Sequence, residues 1–290
     1  MGTHLTAERL KDLKRLAIRM RRLVVESVHH AGAGHLGGPL SAAEILTALY
    51  FEVMRIDPAR PRDPDRDRFI LSKGHASIGL YAALALRGYL PVDELRTFDA
   101  IDSRLQGHPD MNLLPGVDMS SGSLGQGLSP GIGMALAARF KKQDYHTWVL
   151  LGDGDSQEGQ TWEAAFVASR YGLDSLTAIL DWNGLQQYGW ATEAGYQDLA
   201  RLPAQDDPAA RWQSFGWATR QIDGHDLAQV VDGCAWARSV ARRPAILIAR
   251  TVKGKGVSFM EGNYNWHAKP PTDEDLRLAR QELDAQEARV

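Results

Sequence analysis

The stretch Leu150–Gly189, LLGDGDSQEGQTWEAAFVASRYGLDSLTAILDWNGLQQYG, leaves few folds open to this chain. An apolar strand stops at Gly152-Asp153-Gly154, a helical segment follows, and a second apolar strand stops at Asp181-Trp182-Asn183. Strand, helix and strand in that order form a βαβ unit with parallel strands. Asp153 and Asn183 then project from the carboxyl ends of two strands joined by one crossover. Open parallel α/β sheets bind ligands at that end. A carboxylate and an amide oxygen together there suit a hard divalent cation that keeps positions open for phosphate oxygens.

The rest of the chain repeats the alternation. An amphipathic helix over residues 6–30 carries Leu13, Leu16, Val24 and Val28 on one side and basic residues opposite. It ends in the turn AGAGHLGGPL, after which Ser41 starts a second helix, with Ser41-Ala-Ala-Glu44 at capping-box spacing. Residues 57–68 read as a solvated loop. Strands are predicted at 69–71, 146–151, 176–181, 217–222 and 245–249. Helices are predicted from Ser72 to about Leu86, after Pro91, over 125–142, 157–171 and 227–240, and from Thr272, where Thr272-Asp-Glu-Asp275 again resembles a capping box. Gly131, Gly133, Ala135 and Ala138 give the 125–142 helix a small-residue side for close packing. The alternation implies right-handed crossovers and an α/β fold with a mostly parallel sheet.

Composition excludes several classes. A net charge of −3 offers no basic field for nucleic acid. The single cysteine, Cys234, rules out a disulfide framework and any multi-cysteine metal site, and fits a cytoplasmic location. The charged N-terminus does not read as a secretory signal, and no apolar run reaches the ~18 residues of a membrane helix.

Of the nine histidines, His35 sits between glycine-rich turns, His75 follows Lys-Gly at a strand end, His108 sits in Gly-His-Pro and His267 follows Trp266. One such histidine is ordinarily a turn residue or a satisfied hydrogen bonder; four in the loops of one α/β domain suggest a site that moves protons. His4, His29, His30, His146 and His225 read as structural. Gly125-Gln126-Gly127 precedes a helix, which fits either close approach to a ligand or helix–sheet packing.

Asn183 follows Asp153 by 30 residues (183 − 153). GDG followed at this distance by Asn resembles the thiamine-diphosphate signature. The words GHLGGPLS (34–41), LSKGHAS (71–77), QGHPD (106–110), GSLGQGLSPGIGMALA (122–137), RTVKGKGVSFME (250–261) and WHAKP (266–270) are similar to transketolase, and they occur in transketolase order. The resemblance covers roughly residues 8–270. It implies a thiamine-diphosphate-binding fold with helices on both faces of the sheet, residues 1–290 forming one diphosphate-type domain with an N-terminal helix and a C-terminal helical tail. It implies thiamine diphosphate with Mg²⁺ (Ca²⁺ or Mn²⁺ as substitute) held by Asp153, Asn183 and the Leu185 carbonyl. His75, Ser123, Leu124, Gly125, Gly152, Gly154, Glu158, Lys253 and Lys269 join Asp153 and Asn183 as expected cofactor contacts. His35, His75, His108 and, less closely, His267 (Ala268 replaces the usual Gly) are the expected catalytic histidines.

The chain is about half a full transketolase. It is similar to the N-terminal subunit of a split enzyme, which implies a partner chain carrying the pyrimidine-binding domain, an α2β2 heterotetramer, and ketol transfer between sugars or sugar phosphates in the assembled form only. The resemblance implies that acidic residues such as Glu158 and Glu163 meet a partner subunit; a surface salt bridge is the competing reading. The alternatives are another thiamine-diphosphate enzyme, of the 2-oxo-acid dehydrogenase or deoxyxylulose-phosphate synthase type, or a non-catalytic cofactor-binding subunit. Trp182, Tyr188 and Trp190 depart from the family pattern and are expected to border the channel or the partner contact.

Overall fold

A computed structural model describes residues 5–185 and 207–290. Five strands form one parallel sheet: β1 (Arg68–Leu71), β2 (Thr147–Gly152), β3 (Leu176–Trp182), β4 (Ala218–Asp223) and β5 (Ala245–Arg250). Their spatial order is β1-β2-β3-β5-β4, every pair parallel. All five fall within a residue or so of the ranges expected from the apolar runs.

The sheet is covered on both faces, which explains why the runs are nearly uninterrupted in apolar residues. Alternate residues feed two cores. Phe69, Leu71, Trp148, Leu150, Ile179 and Leu247 face one, and Ile70, Val149, Leu151, Leu180 and Ile246 face the other. The first core is built by α1 (Ala7–Ala31), α2 (Gly37–Ser41), α3 (Ala43–Ala48, continued by a wide turn to Val53), α4 (Ser77–Arg87), α8 (Leu227–Ser239) and α9 (Asp273–Glu287). The second is built by α5 (Leu128–Lys141), α6 (Gly159–Arg170) and α7 (Pro208–Ser214). The small residues of α5 let it settle directly on the sheet: a Cβ at Gly131 would lie 2.7 Å from Val149 Cγ2.

One expected cap holds and one does not. Thr272 and Asp275 form a reciprocal capping box at the start of α9. Ser41 does not start a helix. It ends α2, its hydroxyl donates to Gly38 O and to Asp181, and α3 begins after Ala42 with no side-chain cap. Glu44 instead pairs with Arg21 of α1. The spacing matches a local motif, but buried partners far along the chain take both side chains.

Candidate active site

The register of β2 and β3 sets Gly152 opposite Asp181, so the loops leaving these strands start side by side. Five buried charged groups gather there, Asp153, Asp155, Asp181, Lys73 and Lys253, and the environments of the three carboxylates differ sharply.

Asp155 is a knot in the scaffold. Its Oδ1 accepts from the Ser72 hydroxyl at 2.5 Å and from Gly125 N–H at 2.7 Å, and its Oδ2 accepts from Gly152 N–H at 2.8 Å. Burial pushes its pKa up, and these hydrogen bonds oppose the shift. One side chain thus ties the ends of β1 and β2 to the loop before α5. Gly125 is held at φ 77°, where a Cβ would lie 2.5 Å from Glu158 Cβ. Glycine is required there for both reasons.

Asp181 is saturated too. Lys73 Nζ and the Thr251 hydroxyl make short hydrogen bonds to it, and Ser41 donates at 2.6 Å. Lys73 also donates to Gly38 O at 3.0 Å. Burial opposes ionisation of Asp181, but Lys73, Ser41 and Thr251 together outweigh it and hold the carboxyl below its usual range.

Asp153 is the exception. It is 2% exposed, and neither carboxylate oxygen has a partner at full hydrogen-bond geometry, although the Gly184 N–H approaches closely enough to favour its charge. Burial and the charge of Asp181 push its pKa well above the usual carboxylate range; Lys253, the Gly184 N–H and Lys73 oppose the shift without cancelling it. An unpaired buried carboxylate is costly, and a bound cation removes the cost. The residues beside it fit one. Asn183 and Leu185 line the same cavity of about 240 Å³, and both offer neutral oxygens. Asn183 Oδ1 accepts from Leu185 N–H at 3.1 Å, which shapes the turn that presents them.

Above this floor the four histidines converge. The His35 ring lies 5.1 Å from His75 and from His267, and 6.3 Å from His108, while His75 stacks on His267 at 5.1 Å. All four line the cavity. Burial, then the neighbouring charges and rings, lowers His35 to about 4 and His267 to about 3, and takes His75 well below its ordinary value. These three imidazoles are therefore neutral near pH 7, each with one donor and one acceptor nitrogen. Lys253 crosses from floor to wall, 2.7 Å from His267 Nδ1 and 3.5 Å from Leu185 O. Burial lowers its pKa to about 8, although Asp153 opposes the shift.

Residues 13–289 match the family described as transketolase, thiamine diphosphate binding domain. The chain belongs to the transketolase family. It is 41% identical over 282 residues to SqwG of Clostridium sp. (strain MSTE9), which is named as a subunit of a 6-deoxy-6-sulfo-D-fructose transketolase; the match covers 97% of this chain and 100% of that protein. It is 41% identical over 263 residues to one of the named subunits of the apulose-4-phosphate transketolase of Phocaeicola vulgatus, covering 91% of this chain and 90% of that protein. The crystal structure of transketolase from Campylobacter jejuni superimposes with a TM-score of 0.85 at 31% identity, covering 96% of this chain and 45% of that longer one.

In this transketolase-family chain, His35, His75, His108, Leu124, Gly152, Asp153, Gly154, Asn183, Leu185, Lys253 and His267 share one cavity. Gly125 lies just beneath it, bound to Asp155. Ser123 is exposed and Glu158 is an exposed N-cap of α6; neither lines the cavity. Lys269 is exposed as well, with Nζ 4.4 Å from the Trp266 ring centroid. Trp182 packs against the second core, and Tyr188 and Trp190 lie outside the described residues. Sequence reasoning misses Lys73, Asp155 and Asp181. For Lys73 and Asp181 the available signal is a charge adjoining or ending a strand buried on both faces, where it needs a partner.

Proposed function

We propose that this chain is the diphosphate-binding, N-terminal subunit of a two-chain transketolase that passes a two-carbon ketol unit from a ketose to an aldose. The observation that carries the proposal is the unpartnered Asp153 carboxylate beneath four converging histidines. Asp153, Asn183 and the Leu185 carbonyl would hold Mg²⁺, leaving positions for diphosphate oxygens. Lys253 would add a charge-assisted contact to the same diphosphate. Thiamine diphosphate, when bound, supplies a carbon nucleophile and an electron sink for breaking and making the carbon–carbon bond.

The protein's own part is orientation and proton movement. His35, His75 and His267, neutral near pH 7, each offer a sugar hydroxyl one donor and one acceptor. A neutral imidazole nitrogen can take a hydroxyl proton as the carbon–carbon bond breaks and return it to the acceptor's oxygen. Buried neutral rings also add no charge against the cation site.

Two relatives of matching length bear names that make them parts of larger enzymes, which supports a separate partner chain. The exposed side of α6, with Glu163, Phe166 at 62% exposure and Val167, is a suitable docking face for it. We expect that partner to bring the pyrimidine-binding domain, two copies of each chain to assemble, and the complex to work in the cytoplasm. The names of the relatives suggest a ketose with an anionic end, a sulfonate or a phosphate.

The test is co-expression with the partner chain, addition of thiamine diphosphate and Mg²⁺, and a donor–acceptor screen by mass spectrometry. Ketol-transfer products are expected from the complex and negligible turnover from the isolated chain. Wild-type turnover by the chain alone would overturn the two-chain reading.

A further inference from the structure

A line of buried charged groups runs from α1 to the back wall of the cofactor cavity. Arg21 donates to Glu44 Oε1 at 2.5 Å and to Oε2 at 2.6 Å, and the two side chains are 4% and 9% exposed. Glu44 Oε2 lies 2.9 Å from His225 Nδ1. The second ring nitrogen, Nε2, accepts the Val252 N–H at 2.8 Å. A nitrogen that accepts carries no proton, so Nδ1 carries it and donates to Glu44. The backbone N–H thus fixes the tautomer, and the ring bridges a carboxylate to a main-chain amide.

Val252 stands between two residues that meet the site. Thr251 donates to Asp181, and Lys253 reaches His267 and the Leu185 carbonyl. Lys253 is buried and its stem is crowded: a Cβ on Gly37 would lie 2.6 Å from its Cγ. A shift of the Val252 backbone therefore passes directly to the Lys253 ammonium. Three further backbone hydrogen bonds hold the same loop: Thr251 N–H to Trp182 O at 3.2 Å, Gly254 N–H to Gly37 O at 3.0 Å and Gly262 N–H to Lys253 O at 2.9 Å. Losing the imidazole would loosen the middle of the loop while its ends stay tied.

We propose that His225 is a positioning residue, a strut that fixes the loop bearing Lys253 against the Arg21–Glu44 pair and so sets where that lysine meets the cofactor's diphosphate. The proposal rests on the reading of Lys253 as a diphosphate contact. A neutral imidazole suits the task because a rigid ring presents one donor and one acceptor in different directions. His225 also lines an open groove of about 560 Å³ beyond the carboxyl ends of β4 and β5, through which a small solute can reach its place.

The test uses the full chain assembled with its partner. Thiamine diphosphate affinity in Mg²⁺ is read by fluorescence titration, with the thermal midpoint read in parallel. His225→Ala is expected to weaken affinity roughly tenfold, in line with other outer-shell supports. Added imidazole should restore most of the loss. His225→Asn, which keeps a donor for Glu44 but does not reach Val252, should lose affinity with a wild-type midpoint. In a Lys253→Met background, His225→Ala should cost little more. Wild-type affinity in His225→Ala, no recovery with imidazole, or an undiminished loss in the Lys253→Met background would each overturn the proposal. Wild-type affinity in Lys253→Met alone would instead sink the diphosphate-contact reading, and this proposal with it.

Discussion

Asp153 and Asp181 leave neighbouring strands almost abreast, both are buried, and their surroundings are opposite. Asp181 receives a lysine and two hydroxyls and is held ionised. Asp153 receives no side-chain donor, only the approach of the Gly184 N–H, and is pushed toward its neutral form. Burial alone therefore does not mark a ligand site. A saturated buried carboxylate is part of the scaffold, because every group that stabilises its charge is already protein. An unsatisfied one beside a cavity is matched to something that arrives.

The comparison breaks most visibly at Asp153 itself. Asp153→Ala should remove the cation and with it several kcal/mol of help to the reaction, a loss on the order of 10³-fold in kcat of the assembled enzyme. The cofactor-free chain should be no less stable than wild type, because an unpaired buried carboxylate is gone. A variant that turns over normally, or unfolds much more easily, would remove the distinction. Asp181→Ala should behave the other way. It strands Lys73 without its partner, which for a buried pair costs about 3–5 kcal/mol. Denaturant unfolding of the cofactor-free chain measures this, and a cost under about 1 kcal/mol, the range of a surface pair, would refute it.

The same pair explains what can be read from the chain without its fold. Strand positions are legible because a parallel strand covered on both faces is an apolar run with sharp ends. Asp153 and Asn183 are legible because glycines and crossover spacing mark strand ends, and the four cavity histidines because they fall in the words that resemble transketolase. Asp181 lies between those two residues in sequence yet gives no local sign of its role, since its partners Lys73 and Ser41 are 108 and 140 residues away. Ser41 and Glu44 mislead for the same reason, and the His225–Glu44 contact gives no local sign because the two are 181 residues apart. Local spacing describes helices and turns well, but it does not report a buried polar group's partner when that partner comes from another element.

A subtler contrast is in pH. The folded chain binds the Asp153 proton more tightly than the unfolded chain, whose aspartates titrate near an ordinary ~3.9. The cofactor-free chain should therefore lose stability as pH rises from that value through the raised folded one. Asp181, with a lowered folded value, contributes stability above the unfolded value and loses it as pH falls through the folded one. Asp153→Asn removes the first dependence and leaves the second. Unfolding free energies of wild type and variant, without cofactor or divalent cation, should diverge as pH is raised; a constant difference would contradict the assignment.

The smallest expected effects separate two lysines near the chain's end. Lys253 is buried in the cavity wall, and Asp153 lies within reach of its charge. Lys269 is exposed on the Trp266 ring. A charge-assisted contact in a buried site is worth about 1.5–3 kcal/mol, so Lys253→Met should weaken thiamine diphosphate binding by roughly tenfold or more. An exposed cation–ring contact is worth about 0.5–1 kcal/mol and acts on stability, so Lys269→Met should move cofactor affinity by less than about twofold and the thermal midpoint slightly. Titration of both variants in the assembled enzyme ranks them. An equal loss in the two would mean that docking of the partner chain brings Lys269 to the diphosphate and so builds part of this site.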